Sequence, residues 1–229
     1  MQTFLKEGGP ERADAFAAEA DGLEALRPHI RVPKVLDHGV RGGKAFVRLE
    51  FLPLERTGDW GALGRMLARL HRATAPRFGW HRDNYIGLSP QQNGWCDDWS
   101  EFWRERRIRP QAERAGMRID LDRIELHQPQ PSLLHGDLWS GNAGFTAEGP
   151  VVYDPAVYYG DREADLAMTE LFRGFPRAFY EAYNEAFPLD AGYQKRKHVY
   201  NLYHLLNHLN IFGSGYLPQV QATLGLLGL

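Results

Sequence analysis

Apolar positions along this chain change texture near residue 52. Before that point short runs dominate. Gln2 to Lys6 predicts a brief strand, broken by Gly8-Gly9-Pro10. Pro10 is well placed to open a helix, because the first helical turn does not need its missing N–H. Ala13, Phe16, Ala17, Ala20 and Leu23 recur at helical spacing and predict a helix ending before Pro28. Val32 to Leu36 is short and β-branched, and Arg41-Gly42-Gly43 predicts a turn. Lys44 to Phe51 then alternates as a half-buried strand does, until Pro53 ends it. Residues 1–52 therefore predict β-α-β-β, a small mixed lobe.

From Asp59 onward the spacing is helical. Asp59 is a candidate cap for a helix carrying Leu63, Met66, Leu67 and Leu70 on one face. Residues 74–95, rich in Gly, Pro, Asn and Trp, predict a structured loop. Helices are expected over 98–115 and 120–127, then 161–173, 175–187 and 194–212, with one strand at Val151-Val152-Tyr153. The last helix turns Val199, Leu202, Leu205, Leu206 and Leu209 inward. The class is α+β: a small lobe over 1–52 joined through one strand to a mainly helical lobe over 53–229, the plan of a protein-kinase-like fold.

Composition narrows the function classes. The 229 residues are 43% hydrophobic, enough for a substantial core, and 12% aromatic, which disfavours extensive disorder. A net charge of -2 argues against a broad nucleic-acid-binding surface. No apolar run reaches the roughly 18 residues of a membrane span. The first residues lack the apolar stretch of a signal peptide, and the single cysteine, Cys96, suits a reducing cytoplasm.

The chemistry concentrates in Leu133-Leu134-His135-Gly136-Asp137-Leu138-Trp139-Ser140-Gly141-Asn142. An aspartate followed five positions later by an asparagine is the spacing of a phosphoryl-transfer loop. The aspartate accepts the proton of an attacking hydroxyl, and the asparagine reaches a magnesium ion. Twelve residues past Asn142, Val151-Val152-Tyr153 ends in Asp154, the expected position of the main metal ligand. Alone, such a spacing shapes ordinary turns; the ordered set favours Asp137 as base with Asn142 and Asp154 as ligands. Lys6, in the first strand, and Glu19, in the following helix, are candidates for the ion pair that aims a lysine at nucleotide phosphates. In this plan Leu49-Glu50-Phe51-Leu52 links the lobes, and the backbone of Glu50 and Leu52 would hydrogen-bond an adenine.

Three other features favour structural readings. His204 and His208 lie one helical turn apart, but no zinc-binding glutamate motif accompanies them. Arg104 to Arg109 is interleaved with glutamates and reads as a solvated helix face. Trp95, Trp99 and Trp103 at a helix start are expected in the core.

The sequence resembles the fructosamine kinases, or ketosamine-3-kinases, within the protein-kinase-like and aminoglycoside-phosphotransferase-like superfamily. The resemblance runs through most of the chain. It is carried by Val32 to Leu36, Leu63 to His71, Asp98-Trp99, Arg107 to Gln111, His135 to Asn142, Asp154-Pro155-Ala156, Tyr159-Gly160, and Asn207-His208 with Phe212 to Tyr216. Trp139, next but one after the aspartate, is its most distinguishing residue. The resemblance implies ATP- and Mg2+-dependent phosphorylation of the 3-hydroxyl of a ketosamine, free or protein-linked, so that the phosphorylated sugar is lost and the amine freed. It places Asp137 as base, Asn142 and Asp154 on magnesium and Lys6 with Glu19 on the nucleotide, and His135 and Trp139 are the expected substrate contacts. One departure stands out: no room upstream of Lys6 accommodates the glycine-rich hairpin of kinase-like small lobes. The alternatives are a related kinase with an aminoglycoside-, choline- or homoserine-like acceptor, or a non-catalytic binding protein of the same fold. No nucleic-acid or membrane partner is expected, and the oligomeric state stays open.

Overall fold

The computed structural model describes residues 2–172 and 174–229. Strand β1 (Thr3–Gly8), helix α1 (Ala13–Leu26), strand β2 (Val35–Arg41) and strand β3 (Lys44–Glu50) come first. The strands form one antiparallel sheet in the order β1-β3-β2, with Lys6 opposite Val47. β2 and β3 are joined at Gly42 and Gly43, both at positive φ (58° and 75°). That backbone is open to glycine at little cost and matches the twist of a tight hairpin. β2 begins and ends later than the β-branched run suggests. It is an edge strand with half-buried Asp37 and Gly39 either side of an exposed His38, so hydrophobicity does not mark it.

Helix α2 (Trp60–Leu70) is capped as expected: the Asp59 carboxylate accepts from the Ala62 N–H at 2.8 Å. Leu63, Met66, Leu67 and Leu70 are all buried. Asp59→Ala should cost about 1 kcal/mol, seen as a fall in melting temperature of about 2–4 °C with the protein otherwise native. No change in melting would remove the cap from the stability account.

Strands β4 (Asn84–Ile86) and β5 (Ser89–Gln91) pair within the 74–95 loop. The helix expected over 98–115 is three pieces in line: α3 (Trp99–Trp103), a π-helical turn (Arg104–Ile108) and α4 (Arg109–Arg114). Pro110 explains the break. It cannot donate to the carbonyl of Arg106, and that carbonyl instead accepts from the Arg107 guanidinium at 3.0 Å. Arg107 is therefore not on a solvated face. It is fully buried, lies over the rings of Phe102 and Tyr158, and donates to Gln92 O and Asn93 Oδ1. Trp99 and Trp103 are in the core, while Trp95 is 38% exposed.

The helix expected over 120–127 is a single 3-10 turn, Leu121–Arg123. Tertiary partners take its backbone groups: Ser100 Oγ accepts from Leu126 N, and Arg104 donates to Ile124 O. Strands β6 (Ser132–Leu134), β7 (Ala143–Thr146), β8 (Gly149–Val152) and β9 (Tyr158–Gly160) form two small antiparallel pairs, β6 with β9 and β7 with β8. Helices α5 (Glu163–Leu171), α6 (Arg177–Ala186) and α7 (Tyr193–Phe212) follow. Residue 173, at the end of the range expected for α5, lies outside the described residues. A final helix, α8 (Leu217–Leu227), was not expected, although Pro218 near its start and Gly228 at its end are ordinary boundary signals. His204 is buried on α7, and burial pulls its imidazole down to about 3, leaving it neutral. Among the described residues no helix is long and apolar enough to cross a membrane.

Candidate active site

The loop between β6 and β7 is anchored from below by a buried carboxylate. Asp165, on α5, accepts from the N–H groups of His135 (2.7 Å) and Gly136 (2.8 Å). His71 donates to the same carboxylate from Nε2 at 3.2 Å, and its Nδ1 accepts from the Tyr183 hydroxyl at 2.8 Å. Burial pushes Asp165 upward, but its hydrogen bond from His71 and the neighbouring positive ends outweigh this and hold it below the ordinary carboxylate range. Gly136 sits at φ 83°, and a Cβ there would run into the Ala156 carbonyl oxygen. Only glycine satisfies both demands.

His135, expected at the substrate, is not brought to the cavity. Its ring is fully buried, donates from Nε2 to Tyr153 O at 3.0 Å, and accepts at Nδ1 from Asp137 N at 3.3 Å. Burial lowers its basicity, so it acts as a neutral strut between the loop and the segment bearing Asp154.

Asp137 and Asn142 face each other across the loop. Asn142 Nδ2 donates to the backbone carbonyl of Asp137 at 2.9 Å and to its carboxylate at 3.1 Å. Burial pushes the Asp137 carboxyl up to about 7; the Asn142 hydrogen bond opposes this, and the charge of Asp154 adds to it. A carboxylate with that affinity for a proton is matched to general-base work near neutrality.

Asp154 follows β8 at φ 57°, the one non-glycine residue in left-handed backbone among the described residues. Its carboxylate accepts from Lys6, and Lys6 also donates to Glu19 at 2.8 Å. Burial alone would weaken the Lys6 ammonium, but Glu19 and Asp154 more than compensate and keep it charged.

Lys6, Glu19, Asp137, Asn142, Asp154 and Trp139 all line one cavity of about 340 Å3. Trp139 is 38% exposed, as a contact platform requires. The same wall contains Arg12, Tyr85, Asn207, His208 and Phe212, none of which was among the expected site residues. Asn207, His208 and Phe212 occupy one stretch of α7, and only their place in the family-like C-terminal segment hinted at them. Tyr85 and Arg12 carry no motif. Glu50 and Leu52 are not brought to this cavity. The Glu50 carboxylate is held by two bonds from Arg31 (2.9 and 2.8 Å) and one from Lys34 N (3.1 Å), and Arg31 above all keeps it below its ordinary range. Any contact of Glu50 with a nucleotide falls to its backbone.

The donor set suits a hard cation. Asp154 offers a half-exposed carboxylate that already draws an ammonium to itself. Asn142 commits its Nδ2 to Asp137, which leaves its amide oxygen to accept. Oxygen-only donors of this kind fit Mg2+ better than softer metals.

Comparison with known proteins shows the family. The fructosamine kinase family model matches residues 1–227. A probable ketoamine kinase of Synechocystis sp. is 45% identical over 96% of this chain and 81% of its own length. A crystal structure of a candidate fructosamine-3-kinase from Haemophilus somnus 129PT superposes with a TM-score of 0.93 at 32% identity, covering 98% of this chain and 83% of that one. At 20% identity, an aminoglycoside phosphotransferase from Streptomyces rimosus in complex with ADP and streptomycin shares the fold, with a TM-score of 0.54 over 91% of this chain and 86% of its own. The chain belongs to the fructosamine kinase family.

Proposed function

We propose that this protein transfers the terminal phosphoryl group of ATP to the 3-hydroxyl of a ketosamine, in the cytoplasm, at a cleft between lobes spanning 1–52 and 53–229. The observation that carries this reading is the meeting of Asp137, Asn142 and Asp154 with the Lys6–Glu19 pair on one cavity wall. Asp137 accepts the hydroxyl proton as the acceptor oxygen bonds to phosphorus and the bond from phosphorus to the leaving diphosphate breaks. Asn142 orients the Asp137 carboxylate while that happens. Lys6, aimed by Glu19, holds nucleotide phosphates. The Asn142 amide oxygen and the Asp154 carboxylate would hold Mg2+, which supplies neutralisation of phosphate charge. Trp139 offers an apolar face for the sugar and its amine substituent. Little covalent chemistry is asked of the protein; positioning and charge placement do the rest.

The direct test is incubation with ATP, Mg2+ and a panel of fructosamines and ribulosamines, with phosphorylated sugar as the readout. Folded protein that phosphorylates an amino alcohol or aminoglycoside far better than any ketosamine would reassign the acceptor. Folded protein that binds no nucleotide at millimolar ATP would make it a binding protein of this fold.

The rate should also depend on pH in a defined direction. Protonated Asp137 cannot accept a proton, so kcat/KM at sub-saturating substrates is expected to fall as pH drops through about 7, approaching roughly tenfold per unit on the acid side. A profile flat from pH 5.5 to 8 would exclude Asp137 as the titrating base.

A further inference from the structure

Two cations stand on the cavity wall, and among the described residues only one has an acidic partner. Lys6 is engaged by Glu19 and Asp154. Among the described residues, no acid lies within ion-pair distance of Arg12. Its neighbouring acids are turned elsewhere: Glu11 folds back over Gly9, and Asp14 accepts from Arg82 and Tyr85. Arg12 is nevertheless held in place. Its guanidinium lies over the Phe16 ring, 5.1 Å from the centroid, and its stem crosses Gly8, where a Cβ would come within 2.6 Å of Arg12 Cδ. Helix α1 begins immediately beyond it, continuing the 3-10 turn Pro10–Arg12 that fixes the backbone of Arg12.

Arg12, Phe16 and Glu19 share one face of this helical segment, so Arg12 sits toward the Lys6–Glu19 end of the cavity, and its charge acts on Glu19. We propose that Arg12 grips the terminal phosphoryl group during transfer, as a second cation beside Lys6. This rests on the phosphotransferase reading above. As the acceptor oxygen bonds to phosphorus, the bond to the diphosphate breaks and the proton passes to Asp137. The three remaining phosphoryl oxygens carry the charge, and a guanidinium fork can take two of them at once.

Arg12→Gln, Arg12→Lys and Gly8→Ala test this, with Mg2+ present throughout. Calorimetry compares ADP with a non-hydrolysable ATP analogue. Arg12→Gln is expected to weaken the analogue about tenfold while leaving ADP within about twofold, and to lower kcat on the order of 10²-fold. Arg12→Lys should recover part of the rate. Gly8→Ala, which displaces the stem but leaves the charge, should reproduce part of the loss. Equal weakening of ADP and analogue would overturn the proposal, as would unaltered parameters. A raised acceptor KM at unchanged kcat would place Arg12 on the acceptor instead and overturn it too. Because the analogue-over-ADP preference is read by binding alone, it decides the role of Arg12 even where the acceptor has been misassigned. Wild-type protein inert toward every acceptor would count against the phosphotransferase reading separately.

Discussion

Asp137→Asn is expected to lower kcat by about 10²–10⁴-fold, the usual worth of a positioned general base, with ATP affinity changed by no more than about threefold. The substitution keeps the volume and the loop geometry. Asn142 Nδ2 can still donate to the Asp137 backbone carbonyl at 2.9 Å, so the turn is retained. What disappears is the acceptor for the hydroxyl proton. The amide is no base, and its NH2 group presents hydrogen where the substrate needs a lone pair. Lys6, Glu19 and Asp154 are untouched, which is why nucleotide binding should survive. Steady-state kinetics and calorimetry on the same preparation separate the two effects. A variant retaining near wild-type kcat would show that Asp137 orients the hydroxyl without taking its proton.

Asp165→Asn should carry the largest stability cost of any single side-chain change near the site, about 3–5 kcal/mol, because buried donors left without an acceptor cost about 1–3 kcal/mol each. At ~2–4 °C per kcal/mol for a chain of this size, the melting temperature should drop by about 6–20 °C. The carboxylate takes three donors, from His135 N, Gly136 N and His71 Nε2. An asparagine has one acceptor oxygen, and its NH2 would point at another donor. The sign of the pH dependence follows from the lowered affinity of Asp165 for protons. Its contribution is fully present above the unfolded carboxylate range near pH 4, and it is lost as pH falls through the lower folded value. The gap between wild type and variant should therefore hold constant above about pH 4 and narrow below it. Thermal or urea unfolding across pH checks both parts. A gap under 1 kcal/mol at pH 7 would show that the loop does not depend on this anchor.

Asp165 also shows where sequence reading stops. From the sequence it is one of two acids in the first turn of a helix, a common and unremarked pattern. Its meaning depends on two N–H groups thirty and twenty-nine residues earlier and a histidine ninety-four residues earlier. Asp137, Asn142 and Asp154 were legible because their chemistry needs fixed residue types at short, ordered spacings. Lys6 and Glu19 were legible through their places on successive elements. Arg12 and Tyr85 were not, because only tertiary packing puts them on the same wall. The fold divides similarly. Helices with a wide apolar face, α2 and α7, stand close to their expected bounds. The edge strand β2, the interrupted 98–115 helix and the lost 120–127 helix depend on partners far along the chain.

The backbone of Asp154 sets two kinds of selection against each other. At φ 57° a side chain bears a steric penalty that glycine escapes and that asparagine and aspartate bear better than most residues. Drift under selection for folding alone would favour glycine and admit asparagine at this position. Neither carries the negative charge that engages the Lys6 ammonium and that the proposed metal site requires. On the proposed role of Asp154 as a metal ligand, a family member with glycine or asparagine at its position would read as a chain released from catalysis but still selected to fold.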